Sequence, residues 1–263
     1  MGTTIAIAIA NQKGGVAKTT TVGAMGAALA DRGFKVLMID MDPQGNLSDS
    51  VKAEMYKLPT SYELLKRVAE PCEVIQHLGK IDIIPANIML AGIEQELMSE
   101  TGRAYRLREC LETVRESYDY IIIDTPPSLG VLTVISLTCA DEVIIPTTAG
   151  IFSATGIKQL ADTIKQVKTY CNKQLKISGI LLTKFNPRTT LGQLLKEMTA
   201  NIGSHIQAIF FETYIRQSVV IEEAQAKKID IFSWKKKSTV AEDYKLFVDE
   251  YLRRKEGSKN GKN

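Results

Sequence analysis

Apolar runs of strand length constrain this chain more than any other feature. "TTIAIAIA", "KVLMID", "YIIID" and "KISGILL" do not alternate apolar with polar residues, so each must be covered on both faces. Further strand-like runs are "KIDIIPAN", "DEVIIPTT" and "HIQAIFFETYI". Between them lie helical patterns: a stretch from about Lys18 to Arg32 stopped by Gly33, then "PTSYELLKRVAE", "RAYRLRECLETVRESY", "LGVLTVISLTCA", "GIKQLADTIKQVKTYC" and "VAEDYKLFVDEYLRR". Buried strands alternating with helices predict an α/β fold, a mostly parallel twisted sheet with helices on both faces. No repeat or linker interrupts the pattern, so one domain is expected over residues 1–255. The polar "EGSKNGKN" at 256–263 reads as a disordered tail.

Composition narrows the class. The chain is 44% hydrophobic and 24% charged, ordinary for a soluble globular protein. No apolar run approaches the ~18 residues that span a bilayer. "TTIAIAIA" lacks a basic leader and reads as a first strand, not a signal peptide. Cys72, Cys110, Cys139 and Cys171 are scattered with no C-x-x-C pair, which argues for a reduced, cytoplasmic protein without a zinc or disulfide framework. The net charge of +3 is modest, so any nucleic-acid affinity must come from a local cluster.

The first strand runs into "NQKGGVAKTT", a phosphate-binding loop that departs from G-x-x-x-x-G-K-[ST]. Gln12 and Ala17 occupy the two glycine positions, and lysines bracket the loop. A strand, glycine loop and helix in succession point to a P-loop NTPase domain. Lys13, Gly14, Gly15, Val16, Ala17, Lys18, Thr19 and Thr20 form the expected phosphate-binding set for ATP. Gly14 and Gly15 let backbone approach phosphate oxygens, Lys18 faces the β- and γ-phosphates, and the Thr19 hydroxyl is an expected Mg2+ ligand. Ala17 is expected at negative φ, where a helix begins. "LMIDMDPQGN" ends the second strand with Asp40 and Asp42, and "YIIIDTPPS" ends another with Asp124, the pattern of a Walker B acid. Ligands sit at the carboxyl ends of strands in such sheets, so all three acids should face the loop. Asp42 and Asp124 join Thr19 in the expected metal set. Taken alone, Asp42 before Pro43 is equally a turn residue.

"NQKGGVAKTTT" with "IDMDPQGN", "IIIDTPPSLG" and "LLTKFNPRTTLG" closely resembles the ParA/Soj partition ATPases, which carry a deviant Walker A motif. The chain opens on its first strand, so the resemblance is to the short Soj-like branch without an N-terminal DNA-reading domain. The resemblance implies slow ATP hydrolysis, an ATP-dependent sandwich dimer, non-specific DNA binding, a ParB-type centromere-binding partner and a nucleoid-associated location. It implies that Lys13 reaches the phosphates of the partner's ATP and that Asp42 positions the attacking water. It further implies that Asp40 supports the switch loop and Mg2+, and that Asn186 contacts adenine.

For DNA, Arg188 in "NPRTTLG" matches a family arginine, whereas Val220 stands where a second would be. Arg216, Lys227, Lys228, Lys235, Lys236 and Lys237 are the remaining candidate cations, with "WKKKS" equally readable as a solvated loop. A MinD-like membrane switch is the alternative; it needs an amphipathic C-terminal helix, and Asp249 and Glu250 interrupt "YKLFVDEYLRR". Nitrogenase-type iron–sulfur reductases need cysteines at the dimer axis, and Cys139 lies at the far end of a helix. Dethiobiotin-synthetase-like ligases share the loop but not "DPQGN".

Overall fold

The computed structural model describes residues 4–150, 153–187 and 208–260. β1 (Ile5–Ile9) leads through the glycine loop into α1 (Lys18–Ala30), and β2 (Val36–Asp40) into the short α2 (Asn46–Ser50). There follow α3 (Ser61–Lys66), α4 (Pro71–Val74), β3 (Gln76–Leu78), β4 (Ile81–Ile84), α5 (Ile93–Glu96) and α6 (Arg106–Cys110). The second half contains β5 (Tyr120–Asp124), α7 (Val131–Cys139), β6 (Glu142–Thr148), α8 (Ser153–Tyr170) and β7 (Lys176–Thr183). α9 (Val219–Lys227), α10 (Ile231–Lys235) and α11 (Thr239–Asn260) complete it.

The strands form one sheet in the order β3-β4-β2-β5-β1-β6-β7. All neighbours are parallel except β3 and β4. The order places β1, β5 and β2 at the centre, where continuous apolar runs are needed, and their burial is almost complete. On one face Met25 and Leu29 of α1 pack with Tyr244, Phe247 and Tyr251 of α11. On the other, α7 joins α3, α5 and α6 over β2, β4 and β5, while α8 covers β6 and β7.

The expected strand in "HIQAIFFETYI" is only partly realised. Its described residues meet β7 through a single bridge at Phe210, with Phe211 N donating to Ile180 O at 2.9 Å and Ile215 N to Leu182 O at 2.8 Å; residues 205–207 lie outside those described. Gly179 permits the approach, since a β-carbon there would sit 2.9 Å from the Ile209 carbonyl oxygen. The helix expected over "RAYRLRECLETVRESY" breaks into a 3-10 turn at Arg103–Tyr105, α6 and a second turn at Arg115–Ser117. Thr4 Oγ1 lies 3.0 and 2.8 Å from the carbonyl oxygens of Arg115 and Tyr118, tying the second turn to the start of β1. α11 also continues to Asn260 where a disordered tail from 256 was expected. Lys255 pairs with Glu142 and Arg254 with Glu250, so the late turns are anchored and adding a further one costs little.

α11 holds the irregular segment ahead of α9 with two buried carboxylates two turns apart. Asp243 accepts the Arg216 amide at 2.9 Å, and Glu250 accepts those of Glu212 and Thr213 at 2.8 Å each.

Candidate phosphate-binding site

The loop between β1 and α1 is fixed from below by two neighbouring strands. Asn11 donates from Nδ2 to Pro146 O on β6 at 2.8 Å, and its Oδ1 accepts the Lys13 amide at 2.9 Å. Thr183, at the end of β7, donates to Val16 O at 3.0 Å. The loop motif includes Asn11 without revealing what it holds, and Thr183 does not stand out in the sequence; only the sheet order brings both under the loop.

Gly15 lies at φ 72, as a tight glycine turn requires. Ala17 does not lie at negative φ. It adopts φ 63 and ψ 34 as the residue capping α1. The expectation from helix onset fails because Ala17 closes the loop before the helix begins. Both the amide and the hydroxyl of Thr21 donate to its carbonyl, at 2.9 and 2.7 Å. A left-handed L-residue costs roughly 1–2 kcal/mol, and nothing but the surrounding hydrogen bonds offsets it here.

Lys18 is buried, and its ammonium donates to the Lys13 carbonyl at 3.3 Å. Burial lowers its pKa, while Asp124 and Asp42 pull the other way. Lys13, by contrast, is exposed at the outer rim. The two lysines that bracket the loop therefore occupy opposite environments.

The acids converge because parallel strands end in register: Asp40 and Ile9 both pair with Asp124 across the β2-β5-β1 ladder. Asp124 is wholly buried, and neither carboxylate oxygen has a hydrogen-bond partner. Burial drives its pKa well up, the neighbouring Asp40 adds to this, and the Thr19 hydroxyl and Lys18 ammonium offset part of it. Asp40 differs. Its oxygens accept the amide of Asp42 at 3.1 Å and both the amide and hydroxyl of Ser48 at 2.9 and 2.7 Å. Burial raises its pKa to about 6 despite those bonds. Asp42 is also buried, and its Oδ1 accepts the Gln44 amide at 3.0 Å. The turn needs Gly45 at φ 63, where a β-carbon would lie 2.9 Å from Ala86 O.

A cavity of about 520 Å³ opens beside the loop, walled by Gly15, Lys18, Thr19, Asp42, Lys184 and Ser218 among others. That is within the usual range for a nucleotide-sized ligand. Asn186 is exposed two residues beyond Lys184 and is not among the residues that line the cavity. Among the described residues no three carboxylate, imidazole or thiol groups form a self-sufficient metal cage. Mg2+ does not need one: it keeps waters and phosphate oxygens and takes one or two carboxylates. An orphaned buried carboxylate at Asp124 beside the Thr19 hydroxyl fits that demand.

The candidate DNA cations are more engaged than the sequence suggests. Arg216 forms a two-pronged pair with Asp243 (2.6 Å from Nη2 to Oδ1). Lys228 pairs with Asp49 and Lys235 with Glu223, each at 2.6 Å, while Lys227 lies 4.7 Å over the Trp234 ring. "WKKKS" is not a loop throughout, since Trp234 and Lys235 close α10. Lys236 and Lys237 are exposed, and Arg188 lies outside the described residues.

A family profile described as an AAA domain matches residues 4–177. The chain is 40% identical over 242 residues to the sporulation initiation inhibitor protein Soj of Bacillus subtilis (strain 168), spanning 90% of this chain and 94% of that protein. It is 41% identical over 224 residues to the chromosome partitioning protein ParA of Caulobacter vibrioides (strain NA1000 / CB15N), spanning 83% and 82% respectively. Among solved structures, cobyrinic acid a,c-diamide synthase from Mycobacterium smegmatis with bound ADP and magnesium superposes with a TM-score of 0.85 at 36% identity, over 97% of this chain and 96% of that one.

Proposed function

Because this chain belongs to the Soj/ParA family of P-loop ATPases, we propose that it is a DNA-partition ATPase whose ATP-bound sandwich dimer coats DNA without reading bases. A ParB-type partner would stimulate hydrolysis and release the dimer. The observation that carries this reading is the division between the two loop lysines. Lys18 is buried against the acids of its own subunit, whereas Lys13 is exposed at the rim, free to reach a second subunit.

In this reading Lys18 and the amides of the glycine loop hold the phosphates of ATP. Thr19, Asp42 and Asp124 would hold Mg2+, which would supply neutralisation of phosphate charge. Asp40 accepts from Ser48 and from the Asp42 amide, so it sets the shape of the loop that carries Asp42 and supports the Mg2+ site through it. Asp42 orients the attacking water, and Asn186 contacts the base. Hydrolysis by one subunit is slow because a lysine from the other is missing until the dimer closes.

The Mycobacterium smegmatis protein is named as a diamide synthase, and a phosphate loop serves that chemistry equally. Identity of 40–41% to Soj and ParA over most of their lengths favours partition. A membrane role finds less support. The apolar face of α11 is packed into the core, and among the described residues no helix is long and apolar enough to cross a membrane. Co-sedimentation with DNA in ADP, ATP and a non-hydrolysable analogue is the test. Retention only with ATP or the analogue is expected; equal retention in ADP would reject the switch.

A further inference from the structure

The lysines of α8 and the turn after it are unlike those gathered near α10. Lys158, Lys165, Lys168, Lys173 and Lys176 are all exposed, and among the described residues none forms an ion pair. Asp162 is the one acid between positions 158 and 176, so this stretch carries a net of +4 while the whole chain carries +3. The rest of the molecule is therefore close to neutral.

Helical spacing gives the charge a direction. Ile157, Leu160, Ile164 and Val167 are buried against β6 and β7, which leaves Lys158 and Lys165, two turns apart, on the solvent side with the exposed Asp162 one turn from each. Lys168 flanks them. At 1.5 Å per residue, Lys158 to Lys168 covers about 15 Å, which matches roughly four phosphates along one DNA strand. Exposed Gln159, Gln166 and Thr169 add polar groups between the charges.

The same face lacks what other polyanions require. Among the described residues it offers no bulky apolar side chain for a lipid interface except Tyr170 at its end, 79% exposed. One aromatic makes no stacking platform for single strands. α8 also starts against the phosphate loop, since a β-carbon at Gly156 would lie 3.6 Å from Asn11 Oδ1, the atom that accepts the Lys13 amide.

We infer that the outward face of α8, with the turn that follows it, is a contact surface for the phosphate backbone of duplex DNA. The inference rests on the partition reading and assigns the DNA contact to residues other than those near α10. Two subunits closed on ATP double the stripe, and binding steepens with salt accordingly.

The test compares the full chain with two variants, Lys158→Gln/Lys165→Gln/Lys168→Gln and Lys235→Gln/Lys236→Gln/Lys237→Gln. Binding to mixed-sequence duplex DNA in ATP is followed across a range of salt. Each lost phosphate contact lowers the slope of log K against log salt by about 0.9, so the α8 variant should flatten it by up to about 2.7 per engaged subunit. ATP-driven dimerisation and DNA-free ATP turnover should be unchanged, and the Lys→Arg triple at the same α8 positions should restore the wild-type slope. A wild-type slope in the α8 glutamine variant overturns the inference and leaves the partition reading standing. Wild-type protein that fails to hold DNA in ATP overturns both. Capture of wild type by anionic phospholipid vesicles, lost in the α8 variant without any change in DNA binding, overturns the choice of DNA.

Discussion

Ser48 donates its hydroxyl to Asp40 across 2.7 Å with both side chains wholly out of solvent. The same oxygen accepts the Ala86 amide at 2.9 Å. One serine therefore joins the end of β2, the helix after it and the chain leaving β4. Ser48→Ala removes a donor from a buried carboxylate and leaves a buried amide unpaired, at a cost of roughly 1–3 kcal/mol. Thermal unfolding should fall by several degrees, and Asp42, carried on the same turn, should lose its position. An unchanged melting temperature would contradict the geometry.

Ala17→Gly should stabilise the nucleotide-free protein. Removing the left-handed alanine relieves roughly 1–2 kcal/mol, while the freer unfolded glycine returns about 0.4–1 kcal/mol. The net is a gain of between about 0 and 1.6 kcal/mol, measured by chemical denaturation. A destabilised variant would mean that the methyl packs more favourably than its backbone suggests.

Asp124→Asn should separate stability from ligand affinity. A carboxyl whose folded pKa is raised keeps a proton that the unfolded chain has released. Stability is then fully present below the unfolded value near pH 4 and falls as pH rises toward the folded one. The variant lacks this loss, so its advantage over wild type without nucleotide should grow from about pH 4 upward. With Mg2+ and ATP the order should reverse, because wild type gains ligand and the variant does not. Parallel stability–pH curves for the two proteins would show that Asp124 ionises freely.

Lys13→Ala and Lys18→Ala should fail differently. Loss of Lys18 abolishes ATP binding, whereas loss of Lys13 spares binding by the monomer and prevents the ATP-dependent dimer. Equilibrium nucleotide binding and light scattering distinguish them. Normal dimerisation of Lys13→Ala would place that lysine's role within its own subunit.

Asp42→Ala should bind ATP, dimerise and remain trapped on DNA, because the carboxylate held by the Gln44 amide is absent. Hydrolysis at the wild-type rate with a partner present would remove Asp42 from the water-positioning role.

What the sequence made legible follows from local chemistry. Continuous apolar strands announce a covered parallel sheet, and Lys18, Thr19 and Asp124 are announced by the strands that precede them. What stayed hidden depends on partners far along the chain. Ser48 and Asn11 are ordinary polar residues until register brings Ala86 and Pro146 to them. Ala17 misled because helix onset at Lys18 suggests negative φ one residue early, yet the loop must first turn. The cations near α10 looked available in one dimension, where Asp49, Glu223 and Asp243 are not yet neighbours.

Thr21, in the first turn of α1, shares a hydrogen bond of 3.3 Å with Tyr244, 223 positions later. A ribosome adding about 5–20 residues per second completes α1 roughly 10–45 s before the residues that cover it. Throughout that interval Met25 and Leu29 lack the aromatic layer that α11 brings. The loop helix is made first and supported last. Translation thus sets a clock on the switch, and a nascent chain carries every residue that reads ATP well before it has the shape to act on the reading.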